Sequence, residues 1–543
     1  MTRLPFTQAE SIGILAERAA DRLPDGTVNV GTPSSLLGPS PVATYSQLAS
    51  VVRELSGWFP AAGVAPGDRV VIAKRNHFDI LLLAAAAARA GAIPALLSPS
   101  ILPDQARVML DRIAPSTVLV DRDALHGWHL DGSDPWRLVV LDGPGDRSNG
   151  NLPAGSVPAD DLRGATPPPA RPQAFADPMV VTHTSGTTGV PKLVVHSAET
   201  NSGRARTQTM RVPVVSIGRH DRYAACLAWM HSRAVDGYAA FLHTGCPLLA
   251  LAETSVDTAA PLLAGFEPTI VEAIPNVFLL WEEMATTTTE AFTHTRMFLT
   301  AFDSIHPRTV RALLGAAGTR FPLWVQAYGQ SEVGGVSIDL YTRRTVRARP
   351  DRPPTLRHIG WTPPSMGRMR VVDTATGQKA RPGEVGQFEV QSKTPALTYL
   401  GQEDLHARRS RDGWWSMGDV GRKTRTGRAI LHDRDIDRCD GVESCLELED
   451  LLLDALPELT EIVVVDVAGS ATPVVATRGD LPLDRAAWDA AVARTTARLA
   501  EPIRLAWDDI PRTATLKVRR WLLVDQLGSR PGTTEPAVST ATP

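Results

Sequence analysis

Apolar positions recur along the first hundred residues with two different periods. Leu48, Val51 and Leu55 follow Thr44-Tyr45 at helical spacing, which predicts a helix opening at Thr44. Gly63-Val64-Ala65-Pro66-Gly67-Asp68 is a turn sequence that delivers the chain into the apolar run Val70 to Ala73, predicted as a strand. The stretch from Phe78 to Ala90 predicts a helix that Gly91 ends, and Gly91-Ala92-Ile93-Pro94 leads into another short apolar run. Strands alternating with helices in this way argue for parallel α/β architecture. Further strands are predicted at Met179 to Val181, Phe298 to Phe302 and Trp324 to Ala327, with a helix around Val310 to Leu314. Gly383 to Val390 reads as a turn and then a strand. Near the end the pattern predicts a helix over Glu447 to Leu453, a strand over Glu461 to Val467 and a helix over Arg485 to Leu499. The stretch from Gly143 to Pro178, rich in Pro, Gly, Asp and Ser, reads as a surface connection. Residues 528–543 show no apolar pattern and are predicted to be a disordered tail.

Composition narrows the class. With 543 residues, 43% hydrophobic and 21% charged, the chain can bury a large core and more than one domain is expected. A formal charge of -3 gives no electrostatic reason to engage nucleic acid or an anionic membrane. The apolar run Ile80 to Ala88 is too short to span a bilayer, and the first residues lack the apolar core of a secretory signal. Cys226, Cys246, Cys439 and Cys445 show no CxxC spacing, which speaks against a disulfide scaffold and for a reducing, cytoplasmic location. Lys74, Lys192, Lys379, Lys393, Lys423 and Lys517 are the only lysines among 56 basic residues, so a retained lysine is notable: a point-charge ammonium and a planar guanidinium do different work.

The chemistry centres on Thr182 to Ser197. Thr184, Ser185, Gly186, Thr187, Thr188 and Gly189 set hydroxyls and side-chain-free backbone side by side, the composition needed to wrap polyphosphate oxygens, and Pro191-Lys192 adds a stiff exit and a cation. The order of residues after the glycine is not that of a Walker loop. Alone, such a stretch reads equally well as a solvated hairpin.

Three further motifs follow in order: Tyr328-Gly329-Gln330-Ser331-Glu332, then Met417-Gly418-Asp419 with Asp433-Arg434 beyond it, then Thr513-Ala514-Thr515-Leu516-Lys517. Together with the hydroxyl-rich loop they resemble the AMP-forming adenylating superfamily, which holds acyl-CoA synthetases, luciferases and peptide-synthetase adenylation domains. The resemblance runs from about Thr44 to about Leu523. It implies an α/β fold with a large multi-subdomain N-terminal adenylation domain, residues 1–433, and a small α+β lid, residues 434–527, that turns about a hinge near Arg434. It implies an enzyme that uses ATP and Mg²⁺ to adenylate an acid, releasing pyrophosphate.

By the same resemblance Tyr328 lies against adenine or the acid, Ser331 hydrogen-bonds phosphate, and Glu332 holds Mg²⁺, an ion suited to hard oxygen ligands. Asp419 and Arg434 clamp the ribose, and Lys517 reaches the α-phosphate when the lid closes. His231, in Leu227-Ala228-Trp229-Met230-His231, stands where relatives place an aromatic or histidine residue at the acid pocket, and a neutral imidazole there would hydrogen-bond the acid or take a proton.

Departures from the family pattern address the substrates. Ala301-Phe302-Asp303 replaces a run of small residues, which implies a narrowed acid pocket lined by His231, Phe302 and Asp303. Met417, Leu193 and Leu516 are further departures, and Gly441 follows Arg434 sooner than in relatives that use CoA. The chain resembles the branch that hands an activated acid to an amine: amide synthetases of secondary metabolism, and ATP-dependent diazotases that adenylate nitrite for an aryl amine. Nitrite and an aryl amine are the expected partners. A carboxylate joined to CoA or to an amine is the alternative. Asp433, Asp435 and Asp437 alternate like a calcium loop, but Arg438 and Ser444 stand where that loop needs Gly and Glu.

Overall fold

A computed structural model describes residues 10–141, 152–184, 189–210, 214–347, 356–513 and 515–528. Two eight-stranded sheets and one six-stranded sheet make up the first four-fifths of the chain, and a three-stranded sheet with helices forms the rest. The mixed α/β architecture with a small C-terminal α+β unit is the class expected from the sequence.

In the first sheet Ile93–Leu97, Arg69–Ala73, Thr117–Asp121 and Arg137–Leu141 are parallel neighbours, and Pro178–His183 runs parallel to Ile93–Leu97. Leu193–Ser197 then folds back antiparallel on Pro178–His183, and Thr398–Tyr399 closes that edge. The second sheet carries Tyr223–Cys226, Leu248–Leu251, Ile270–Ala273, Met297–Thr300 and Leu323–Gln330 in parallel pairings, with Gly334–Tyr341 antiparallel at one edge. Against the first sheet, and packed on the helices Ile12–Arg22, Tyr45–Ser56 and Ser232–Thr244, lies Asp79–Arg89, DILLLAAAAAR, all eleven residues of which are buried. An apolar sequence on every face of a helix demands such a position. Its alanines also allow close packing: a Cβ on Gly13 of the neighbouring helix Ile12–Arg22 would meet Arg89 N at 2.4 Å.

The six-stranded sheet is antiparallel among Gly367–Val372, Val385–Ser392, Trp414–Lys423 and Ala429–Arg434, and its register puts Asp419 opposite Arg434. Beyond Arg434 come the helix Cys445–Ala455, the strands Leu459–Val467, Ser470–Thr477 and Ile503–Arg504, and the helix Arg520–Gly528. Two small apolar cores hold this unit together, one including Leu452, Leu453 and Trp488 and the other Val463, Val474 and Leu523.

Three expectations about extent are corrected. The strand predicted to reach Phe302 ends at Thr300, because Phe302 takes φ +80°, outside any strand conformation. The helix predicted to reach Leu499 is Arg485–Val492: β-branched Thr495 follows, and its hydroxyl bonds Val492 O at 2.8 Å, taking a carbonyl at the helix end. Gly528, predicted as the first residue of the tail, ends a helix, and 529–543 lie outside the described residues. Part of the connection predicted from Gly143, residues 142–151, is also outside them. Among the described residues no helix is long and apolar enough to cross a membrane.

Candidate active site

Thr184 and Lys192 close the base of the hydroxyl-rich loop against each other. The Thr184 amide donates to Lys192 O at 2.9 Å, and the Lys192 amide donates to Thr184 Oγ1 at 3.1 Å. Ser185, Gly186, Thr187 and Thr188 lie outside the described residues. Gly189 takes φ +129°, a conformation that a side chain would strain. Lys192 Nζ sits 5.9 Å from the Tyr399 ring centre, and its ammonium is held below its ordinary pKa by burial and by Arg409, against the pull of Glu332.

Tyr328 to Gln330 end the strand Leu323–Gln330, and Ser331 to Val333 turn it into the antiparallel strand Gly334–Tyr341. Gly329 is required there, since a Cβ would lie 2.1 Å from Gly334 O. The turn sets Ser331 and Glu332 at the hairpin tip. Arg204 Nη2 donates to Ser331 O at 3.0 Å, and Tyr399 donates its hydroxyl to Glu332 Oε1. On the facing sheet Asp419 accepts from the Tyr328 hydroxyl, and Arg434 Nε lies 3.8 Å from its other oxygen. Burial raises the Asp419 pKa, and Arg434, Tyr328 and Lys517 oppose that rise.

His231 caps the helix Ser232–Thr244: the Arg233 amide donates to its Nδ1 at 3.1 Å. Nδ1 must therefore be the unprotonated nitrogen, which places the ring hydrogen on Nε2, 3.2 Å from Ser331 Oγ. Burial, with Lys517 the next cause, pulls the imidazole pKa down to about 3. The ring is thus a neutral donor, and the proton-accepting role entertained from the sequence does not fit this arrangement. Phe302 packs on it with ring centres 4.8 Å apart. Behind it, Arg233 makes a two-pronged pair with Glu272 at 2.8 and 2.7 Å, and Tyr223 donates to the same carboxylate at 2.6 Å.

Lys517 comes from the C-terminal unit on a loop closed by Thr513 N to Lys517 O at 2.9 Å and Lys517 N to Thr513 Oγ1 at 3.2 Å. Asn276 Nδ2 donates to Leu516 O at 2.5 Å and holds this loop over the site. Burial depresses the Lys517 pKa, while Asp303, Asp419 and Glu332 counter it. A cavity of about 650 Å³ gathers Thr184, Lys192, His231, Phe302, Asp303, Tyr328, Ser331, Glu332, Asp419, Arg434 and Lys517. Its size is that of a site for a small-molecule ligand. Tyr399, Asn276, Arg409 and the Arg233–Glu272 pair were missed from sequence. None sits in a recognisable motif, and each reaches the site only through long-range packing.

Residues 16–400 match the profile described as AMP-binding enzyme. The 3-amino-2-hydroxy-4-methoxybenzoate diazotase of Streptomyces cremeus is 39% identical over 495 residues, covering 88% of each chain. The 3-aminoavenalumate diazotase of a Streptomyces species is 26% identical, covering 79% of this chain and 74% of its own. Among solved structures, the anthranilate CoA ligase AuaEII in complex with anthranoyl-AMP superposes with a TM-score of 0.79 at 18% identity, covering 97% of this chain and 99% of its own.

Proposed function

Since this chain belongs to the AMP-binding enzyme family and is an adenylate-forming ligase, we propose that its acid is nitrite and its acceptor an aryl amine, making it an ATP-dependent diazotase of secondary metabolism. The observation that carries the choice of acid is the contact between Phe302 and His231. Phe302, in a left-handed backbone conformation, packs its ring 4.8 Å from the His231 ring and adds bulk to the cavity wall there, which favours a small oxyanion over a bulkier carboxylate. The names of the two diazotase relatives support the same reading.

In this proposal the 184–189 loop and Lys192 hold the phosphates, Asp419 and Arg434 take the ribose hydroxyls, and Tyr328 lies along the base. Residues 1–433 bind ATP and acid, and 434–527 bring Lys517. Mg²⁺ would be held by Glu332: its carboxylate lines the cavity, is steadied through Oε1 by Tyr399, and offers the hard oxygen chemistry such an ion takes, phosphate oxygens completing the set. The ion would neutralise charge on the polyphosphate. A nitrite oxygen attacks the α-phosphorus and pyrophosphate leaves, giving the mixed anhydride O=N–O–AMP. Little covalent chemistry falls to the protein, so positioning and charge dominate. His231 Nε2–H orients the nitrite, Ser331 hydrogen-bonds phosphate, and Lys517 stabilises charge developing on the α-phosphate.

The test is pyrophosphate release with nitrite and with a panel of carboxylates, each with an aryl amine or with CoA. Turnover with nitrite and an aryl amine supports the reading. Turnover confined to carboxylate plus CoA would replace it with an acyl-CoA ligase.

A further inference from the structure

The helix Glu403–Arg409 ends in two arginines with different surroundings. Basic residues in the last turn of a helix ordinarily serve the partial negative charge of its carbonyls. Arg408 suits that role and is exposed, as is Arg411 just beyond. Arg409 differs: it is partly buried and lines the cavity. Its guanidinium makes no hydrogen bond or ion pair among the described residues.

The residue one turn earlier fixes which wall of the cavity this is. His406, three positions before Arg409 and so on the same side of the helix, packs against Tyr399 with ring centres 5.2 Å apart and against Trp415 at 5.0 Å. Tyr399 is the ring beside which Lys192 Nζ sits at 5.9 Å, and its hydroxyl donates to Glu332 Oε1. The start of the helix is tied down as well, by Arg112 Nη1 to Gln402 Oε1 at 3.1 Å and the Gly401 amide to Glu403 Oε1 at 2.9 Å. Arg409, Lys192 and Glu332 are therefore gathered around one tyrosine. Burial lowers the Lys192 pKa, and Arg409 is the largest charge acting in the same direction. Two cations that repel in this way are stabilised when a polyanion joins them.

Resting on the assignment of the phosphates to the 184–189 loop and Lys192, we propose that Arg409 is a second cation for the β- and γ-phosphates of ATP and for the pyrophosphate that departs. A planar guanidinium takes two phosphate oxygens at once, which the ammonium of Lys192 cannot do. In adenylation the acid oxygen bonds the α-phosphorus while the bond from that phosphorus to the bridging oxygen breaks, and the bridging oxygen leaves with the electron pair. Charge grows on the pyrophosphate, and Arg409 is there to stabilise it. Because Arg409 precedes Arg434, it belongs to the same part of the chain as Lys192 and Glu332, so its grip requires no particular position of the C-terminal unit.

The test compares two ligands on the full chain by titration calorimetry: magnesium α,β-methylene-ATP, which cannot release pyrophosphate, and AMP, which lacks the β- and γ-phosphates. Arg409→Ala should raise Kd for the methylene analogue by about tenfold or more, the worth of one charged hydrogen-bonded contact, and leave Kd for AMP within about twofold. Retained AMP binding also shows that the variant is folded. Equal weakening of both ligands, or of neither, would overturn the proposal. Lys192→Ala separates it from the assignment on which it rests. If that variant loses no more affinity for the methylene analogue than for AMP, the phosphates do not lie at Lys192, and the assignment fails together with the role of Arg409. Neither ligand needs an acid, so the outcome is independent of nitrite.

Discussion

Asp450, on the helix Cys445–Ala455, takes His306 Nδ1 at 2.8 Å and Arg357 Nε at 3.0 Å where the C-terminal unit meets the rest of the chain, and replacing it with Asn tests that junction. The Asp450 side chain is 1% exposed and faces Arg357 at 2% and His306 at 11%. Removing one partner of a buried pair costs about 3–5 kcal/mol. Asn keeps the shape and one acceptor oxygen, so a loss of about 3 kcal/mol is expected, roughly a hundredfold in the closed-lid population. The pH dependence should change sign as well. In the wild type, burial lowers the His306 pKa but the Asp450 carboxylate more than offsets it, leaving the group raised. A histidine with a raised folded pKa contributes stability that is complete below its unfolded pKa of about 6.5 and lost as pH rises through the folded value. In Asp450→Asn burial should win, the folded pKa drop below 6.5, and closure weaken as pH falls. Energy transfer between dyes on cysteines introduced at exposed Glu54 and Asp489 would follow lid opening in urea at pH 6 and pH 8. A loss under about 1 kcal/mol, or an unchanged sign of the pH effect, would refute the reasoning.

Lys517→Ala should lower the rate of adenylate formation by about 10²–10³-fold while leaving KM for ATP within about threefold, read by ATP–pyrophosphate exchange; equal loss of ATP binding would contradict a role confined to the transition state. Because the His231 pKa is near 3 through burial, the pH profile of adenylation should show no inflection near 6.5 that disappears in His231→Phe, and such an inflection would restore the proton-accepting role. Phe302→Gly relieves a left-handed conformation at a strain of order 1–3 kcal/mol and opens the acid end, so benzoate-dependent pyrophosphate release should rise at least tenfold; no gain with any aryl carboxylate would show that Phe302 does not set acid size. Burial raises the Asp433 pKa to about 7 despite bonds from the Leu446 and Cys445 amides, so the folded state takes up protons that the unfolded state releases and stability falls between about pH 4 and pH 7. Asp433→Asn should flatten that slope in urea titrations, and an unchanged slope would assign it elsewhere.

How much of this was readable beforehand depended on distance along the chain. Gly329 inside YGQSE and the Thr184–Lys192 closure are local devices, whose turn chemistry shows within a few residues of sequence. The alternation of strands with helices was equally visible from Val70 to Leu97. Tyr399, which meets Glu332, and Asp450, which meets His306 and Arg357, carry no local signal because their partners are set by sheet edges and by the docking of separate units. Phe302 was visible as a departure, but its left-handed backbone was not, since only the packed site holds a bulky residue there. The tautomer of His231 likewise became legible only once the Arg233 amide was placed.

Arg434 ends a strand opposite Asp419 and is also the last residue before the chain leaves for the C-terminal unit. A ligand that engages Asp419 and Arg434 from the cavity side therefore also engages the point where the chain enters the C-terminal unit, so in the proposed cycle occupancy of the nucleotide site and the position of that unit would be coupled through one residue pair.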